Sequence, residues 1–281
     1  MLNFLEHLNR ITGGSIDILK RTAQRISEER AAEAAASMAY YGFFSLFPLL
    51  LVIVAVVSIV LENSLTQEEV LNFLLQAFPF SADLIEENLR QVLKARSSGG
   101  LIGLVGLAWS ALGAFTVLMR NINRAWPNTK ARNFIKVRLM ALLMLVAMIA
   151  GLISLFVFNT VISFLPPNLN QAAEKASSIQ GFPYILIGLL LFATLLILYW
   201  WLPSTQVRWQ EAAWGALAGS LGISAITAGF TWYLQSGLSN YNLVYGSLGA
   251  IVALLFWIYL LSLIIFSGAH LSAAIAYCKR K

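Results

Sequence analysis

The chain has 281 residues, 59% of them apolar and only 11% charged, with a mean hydropathy of +0.74. Soluble domains carry about 25% charged residues, and a soluble fold of this size cannot hide so much apolar surface, so an ordinary water-soluble globule is excluded. The net charge of +6 would favour nucleic acid in a soluble protein, but positive-inside bias produces the same excess in a membrane protein, and the lone Cys278 excludes an intrachain disulfide.

Residues 1–37 are polar and mixed in charge, unlike a cleavable signal peptide, and read as a cytoplasmic amphipathic segment. Ser15 can cap a helix with Asp17 in its first turn, and Ile16, Leu19, Ala23 and Ile26 recur at helical spacing opposite Lys20, Arg21 and Arg25. This predicts a helix lying on the membrane surface. Arg25, Glu29 and Glu33 follow at four-residue spacing, a solvated ion-paired face.

Residues 38–273 form a membrane domain of six apolar spans, Met38 to Leu61, Leu101 to Met119, Leu139 to Leu165, Phe182 to Leu202, Ala212 to Leu234 and Leu248 to Ala273. Each approaches or exceeds the roughly 20 residues needed to cross a hydrocarbon core. None holds an acid or base in its interior, where a charge costs at least about 2.5 kcal/mol. With both termini cytoplasmic, fifteen Lys and Arg fall on the inner side and four on the outer, which sets the orientation. The expected fold class is therefore all-α, a polytopic inner-membrane protein with six transmembrane helices.

The first span contains Ser45 and Pro48. Proline removes one backbone donor and kinks the helix beside the Ser45 hydroxyl. The outer connection, 62–100, carries six acids against three bases and two helix signatures, one capped by Thr66 with Glu69 and one by Ser81, separated by Pro79. An amphipathic hairpin follows, covering an outer opening or resting on the bilayer.

Between spans 2 and 3, residues 120–138 hold six bases and no acid. Arg120, Arg124, Lys130 and Arg132 are the candidate contacts for anionic head groups of the inner leaflet, at about 1 kcal/mol each. Trp126 and Pro127 suit an interfacial aromatic and a turn. Tyr40, Tyr41, Tyr199, Trp200, Trp201, Trp209 and Trp214 form the expected inner aromatic belt, and Trp232 with Tyr233 the outer one. Trp109 and Trp257 read as packing residues.

Asn159 lies near the outer end of span 3. Gly99, Gly103, Gly106 and Gly113 in span 2, and Gly215, Gly219, Gly222 and Gly229 in span 5, have the spacing that lets helices approach closely, within the chain or in a homo-oligomer. Their placement in the middle of each half is compatible with an inverted 3+3 repeat. Tyr241, Asn242 and Tyr245 precede span 6 in a connection without Lys or Arg, and His270 stands at its inner end before the basic tail 274–281. Ser45, Pro48, Asn159, Tyr241, Asn242, Tyr245 and His270 are the candidate translocation path.

The stretches AYYGFFSLFPLLL, YWWLPSTQVRWQEAAWGALAGSL and YNLVYGSLGAIVALLFWIYLLSLIIFSGAHL resemble the YihY/virulence factor BrkB family of bacterial inner-membrane proteins, from about Ala31 to Ala276. The resemblance implies six spans with both termini inside, and no established catalytic residues. Family members often have Gly-Ala-Glu-Leu where this chain has Gly268, Ala269, His270 and Leu271, which makes any role there absent or pH-sensitive in this chain. Some members carry a ribonuclease label. Phosphodiester cleavage needs clustered carboxylates or histidines, and His7 and His270 stand far apart in sequence with no acid pair beside the basic loop. The expectation is thus a translocator of a lipid or other small amphiphile, not an enzyme, with membrane lipids as partners, no nucleic acid, no metal and no cofactor. The alternative is a non-catalytic scaffold that recruits a partner protein.

Overall fold

The computed structural model describes residues 15–60, 109, 112–127, 129, 132–163, 182–236 and 249–279, with the backbone path alone at 15, 46–60, 149, 152–163, 182–184, 186, 234, 235, 250 and 279. Among the described residues there are seven helices and no strand. They are α1 (Ser15–Glu28), α2 (Ala31–Val60), α3 (residues 112–124), α4 (Phe134–Ser163), α5 (Phe182–Trp201), α6 (Trp209–Gln235) and α7 (Gly249–Lys279). By length and composition, α6 over Trp209–Tyr233 and α7 over Ile251–Cys278 are able to cross a membrane. The two 30-residue helices α2 and α4 coincide with the first and third apolar runs, and each is about 45 Å long.

Several helices start before the apolar runs do. α4 takes Lys136 and Arg138 into its first turns, and α6 takes Glu211. A helix continues past the point where its sequence stops being apolar, because its backbone hydrogen bonds do not depend on the lipid.

α7 is the central element, packed against α6, α2 and α1, and α6 packs in turn on α5. The reason lies in small residues. A Cβ placed at Gly215 would stand 2.5 Å from the Gly268 carbonyl oxygen and 2.8 Å from Ser272 Cβ, so the α6 and α7 backbones nearly touch. At Gly222 it would meet Ile264 at 2.9 Å, and at Gly219 it would meet Leu195 of α5 at 2.8 Å. Three of the four span-5 glycines are thus used inside the chain, while a Cβ at Gly229 would meet nothing within 4 Å among the described residues.

Tyr199 sits in this seam with none of its surface exposed, and its hydroxyl donates to the Ile265 carbonyl at 2.7 Å. The belt role expected for Tyr199 is therefore corrected to a core role, while its neighbours Trp200 and Trp201 remain exposed. One helical step turns a side chain by 100°, so adjacent aromatics face opposite environments. Tyr199→Phe should lower stability by about 1 kcal/mol, seen as a lower thermal midpoint in detergent. An unchanged midpoint would show that this hydroxyl holds nothing.

Candidate functional site

The charged residues gather where α1, the start of α2, the end of α3 and the end of α7 come together, here termed the basic end. The described part of α1 begins at Ser15, with Asp17 in its first turn. The predicted stripe is not buried as a whole: Leu19 is 64% exposed and Ala23 is exposed, Ile16 and Ile26 are half-buried, and Thr22 is the α1 residue buried against the protein. Thr22 closes its hydroxyl on the Ile18 carbonyl, and Arg21 stacks 3.3 Å from the Tyr277 ring centroid of α7.

Arg25 does more than pair with its own helix. It contacts Glu29 at 3.3 Å and Glu28 at 4.0 Å, and its Nη2 donates to the Arg124 and Ala125 carbonyls at 3.5 and 3.4 Å. Those carbonyls close α3, so a cation there satisfies orphan acceptors and the helix dipole together. The continuous Arg25–Glu29–Glu33 face is corrected, because α1 stops at Glu28 and Arg30 turns the chain with φ of 53°. Glu33 pairs instead with Arg30.

Behind this turn lies a cavity of about 490 Å³ between the start of α2 and the end of α3. Arg30, Arg120 and Arg124 line it together with Glu28, Glu29 and Glu33, and Tyr41 closes one side. Arg120 and Arg124 stand one turn apart on α3, and among the described residues their guanidinium groups have no ion pair or hydrogen bond. From Tyr41 an exposed aromatic face continues along α2. Tyr40, Tyr41 and Phe44 are 57%, 48% and 56% exposed, with Tyr40 lying 5.5 Å from the Tyr41 ring and 4.7 Å from that of Phe44.

Of the other bases in the 120–138 stretch, Arg132, Lys136 and Arg138 do not line that cavity. Arg132 reaches across to donate to the Met140 sulfur at 2.9 Å and the Pro203 carbonyl at 3.3 Å, joining the α3–α4 and α5–α6 connections. Burial lowers its pKa from the ordinary guanidinium value, yet arginine keeps its charge at neutral pH. Asn123 reinforces the junction by accepting from the Ser204 amide at 2.7 Å. Arg138 lies 4.3 Å from the Trp109 ring centroid and 5.5 Å from that of Phe134, with Nε and Nη1 buried. Trp109, read as a packing residue, thus serves as a cation–π platform. Trp126 is buried in the core instead of resting at an interface. Lys130 lies outside the described residues.

Of the expected translocation path, the described part does not converge on one opening. Ser45 is buried and bonds back to the Gly42 carbonyl at 3.1 Å, the local closure typical of helix serines. His270 is 3% exposed on α7, and its Nδ1 has no partner among the described residues. It lines neither the cavity above nor the opening bounded by Trp200, Trp201 and Arg208 at the α5–α6 connection. The side chains of Pro48 and Asn159, the residues Tyr241, Asn242 and Tyr245, and the hairpin 62–100 fall outside the description.

Glu211 is the polar residue that the apolar-run reading passed over. It is 1% exposed, accepts from the Arg208 amide at 3.1 Å, and through its carbonyl accepts from Ser272 at 2.9 Å. Its signal was available as a glutamate three residues into an apolar helix, the N3 position of a capping box. Among the described residues no group of three His, Cys, Asp or Glu gathers in metal-binding reach.

A protein-family model described as virulence factor BrkB matches residues 22–281. The chain is 28% identical over 215 residues to a protein of Bacillus subtilis (strain 168) named ribonuclease-like protein YfkH, covering 74% of this chain and 78% of that one. It is 28% identical over 209 residues to a UPF0761 membrane protein of Actinobacillus pleuropneumoniae, covering 72% and 73%. A UPF0761 membrane protein of Neisseria meningitidis serogroup B is 28% identical over 282 aligned positions, covering 98% of this chain and 68% of the other. No solved structure matches.

Proposed function

The chain belongs to the virulence factor BrkB family and is a membrane protein like its named relatives, and from that premise we propose that it translocates a lipid or another small amphiphile. In this reading it crosses the bacterial inner membrane six times with both termini in the cytoplasm, so that the basic end meets the inner leaflet. Its partners are membrane lipids and not nucleic acid, and no enzymatic step is involved.

The observation that carries the reading is the cavity at the basic end. Two guanidinium groups, those of Arg120 and Arg124, have no ion pair among the described residues and stand beside an exposed aromatic face. A head group and an acyl chain need these two surfaces side by side. Uncharged spans suit an apolar passenger better than a bare ion, which would need intramembrane charges or rings of carbonyls. The scaffold alternative draws on the exposed Leu19 stripe of α1, which a partner could cover as well as a bilayer.

The test is reconstitution into vesicles carrying a fluorescent phospholipid in both leaflets, with an impermeant quencher added outside. Protein-containing vesicles should lose their inner-leaflet signal much faster than empty ones. Rates equal to those of empty vesicles, for every phospholipid class and for other amphiphiles, would refute translocation and leave the scaffold.

A further inference from the structure

The cavity at the basic end carries charges of both signs in equal number. Arg30, Arg120 and Arg124 contribute three positive charges and Glu28, Glu29 and Glu33 three negative, so the lining among the described residues is formally neutral. A site built for a net anion would not line itself with three carboxylates, since each like charge facing the ligand opposes it.

How those charges are engaged decides what fits. Glu29 is spent on Arg25 at 3.3 Å and Glu33 pairs with Arg30 at the cavity's exposed lip. Glu28 keeps only a 4.0 Å contact with Arg25 and is 65% exposed. Arg120 and Arg124 have no anionic partner among the described residues. Two guanidinium groups of α3 without an ion pair among the described residues thus share one cavity with the carboxylates of the α1–α2 turn. An occupant must offer an oxyanion to the first and a cation to the second.

We infer that this cavity binds the zwitterionic head group of a phosphoethanolamine lipid, its phosphate on Arg120 and Arg124 and its primary ammonium on Glu28 and Glu33. Arginine matches phosphate oxygens with two N–H donors at once. Carboxylates take the three N–H donors of a primary ammonium, whereas a quaternary choline offers none. The acyl chains leave past Tyr41 along the exposed rings of Tyr40 and Phe44, which a soluble phosphoamine would not use. The lipid assignment rests on the translocator reading for its membrane setting.

The experiment is native mass spectrometry of the full chain extracted from vesicles holding equal parts of phosphatidylethanolamine, phosphatidylglycerol and phosphatidylcholine. Wild type should retain phosphatidylethanolamine about fivefold over either of the others, the effect of one additional matched surface charge. Arg120→Gln with Arg124→Gln should remove the bound lipid. Glu28→Gln with Glu33→Gln should keep lipid bound but erase the preference over phosphatidylglycerol. These side chains stand at the surface, and size-exclusion elution will show that each variant is folded; should the arginine pair fail to fold, the glutamate pair still decides. Retention of phosphatidylglycerol equal to or above phosphatidylethanolamine in wild type, or unchanged selectivity in the glutamate pair, overturns the assignment. Displacement of the lipid by micromolar glycerophosphoethanolamine would give the site to a soluble ligand and overturn it too. Lipid movement in vesicles separates this from the broader reading: movement that survives the arginine pair removes the head-group site alone, and selective binding without movement removes translocation alone.

Discussion

Gly215→Ala should destabilise the protein by about 2–3 kcal/mol, while Gly229→Ala should stabilise it by about 0.5–1 kcal/mol. Both glycines lie on α6 in a helical backbone, so propensity favours alanine at each. Their surroundings reverse the sign at one of them. The new methyl at Gly215 would stand 2.5 Å from the Gly268 carbonyl and 3.3 Å from the Ser272 amide, and backbone cannot rotate away as a side chain can. The α6–α7 seam must open, and with it the carbonyl contact of Tyr199 and the Ser272 hydroxyl bond to Glu211. At Gly229 a methyl meets nothing within 4 Å. Thermal unfolding of the two variants beside wild type in one detergent reads the contrast. Equal midpoints would mean that α6 and α7 do not cross at this pair.

Glu211→Leu should cost about 2 kcal/mol, and Glu211→Gln about half of that. The carboxylate takes the Arg208 amide, one of the donors that the first turn of α6 cannot satisfy, and its charge lies at the positive end of the helix dipole. Glutamine keeps an acceptor and loses the charge; leucine loses both and strands a partly buried N–H. The Ser272 bond goes to the Glu211 carbonyl and survives either change, so the loss is confined to the start of α6. Hydrogen exchange of the amides at 208–212 would locate it. Protection equal to wild type in the leucine variant would show that the carboxylate does not cap this helix.

The site residues divide by the kind of information each required. Arg120 and Arg124 were legible as neighbours on one helix face, because four-residue spacing puts two bases on one side of any helix, and both line the same cavity. Arg132 has the same composition signal but bridges to Met140 and Pro203, a fate set by a connection 71 residues away. The glutamates were legible as ion-paired, although not as the far wall of a cavity. Leu19 and Ala23 were legible as an apolar stripe. That α7 would take the neighbouring face of α1 was not, since α7 lies at the other end of the chain.

What the sequence by itself determined is the solvent and the element type. An apolar run of the length of a bilayer satisfies its backbone only as a helix, so composition and run length suffice for the membrane class and the places where helices lie. Only the tertiary structure decided which small and polar residues meet: Gly215 with Gly268, Tyr199 with Ile265, Glu211 with Ser272, Arg25 with the end of α3. In lipid, hydrophobicity does not tell one face of an apolar helix from another, because tails and neighbouring helices are equally apolar. Rotation and register are then set by close packing and a few hydrogen bonds between residues up to 100 positions apart, which no local pattern records.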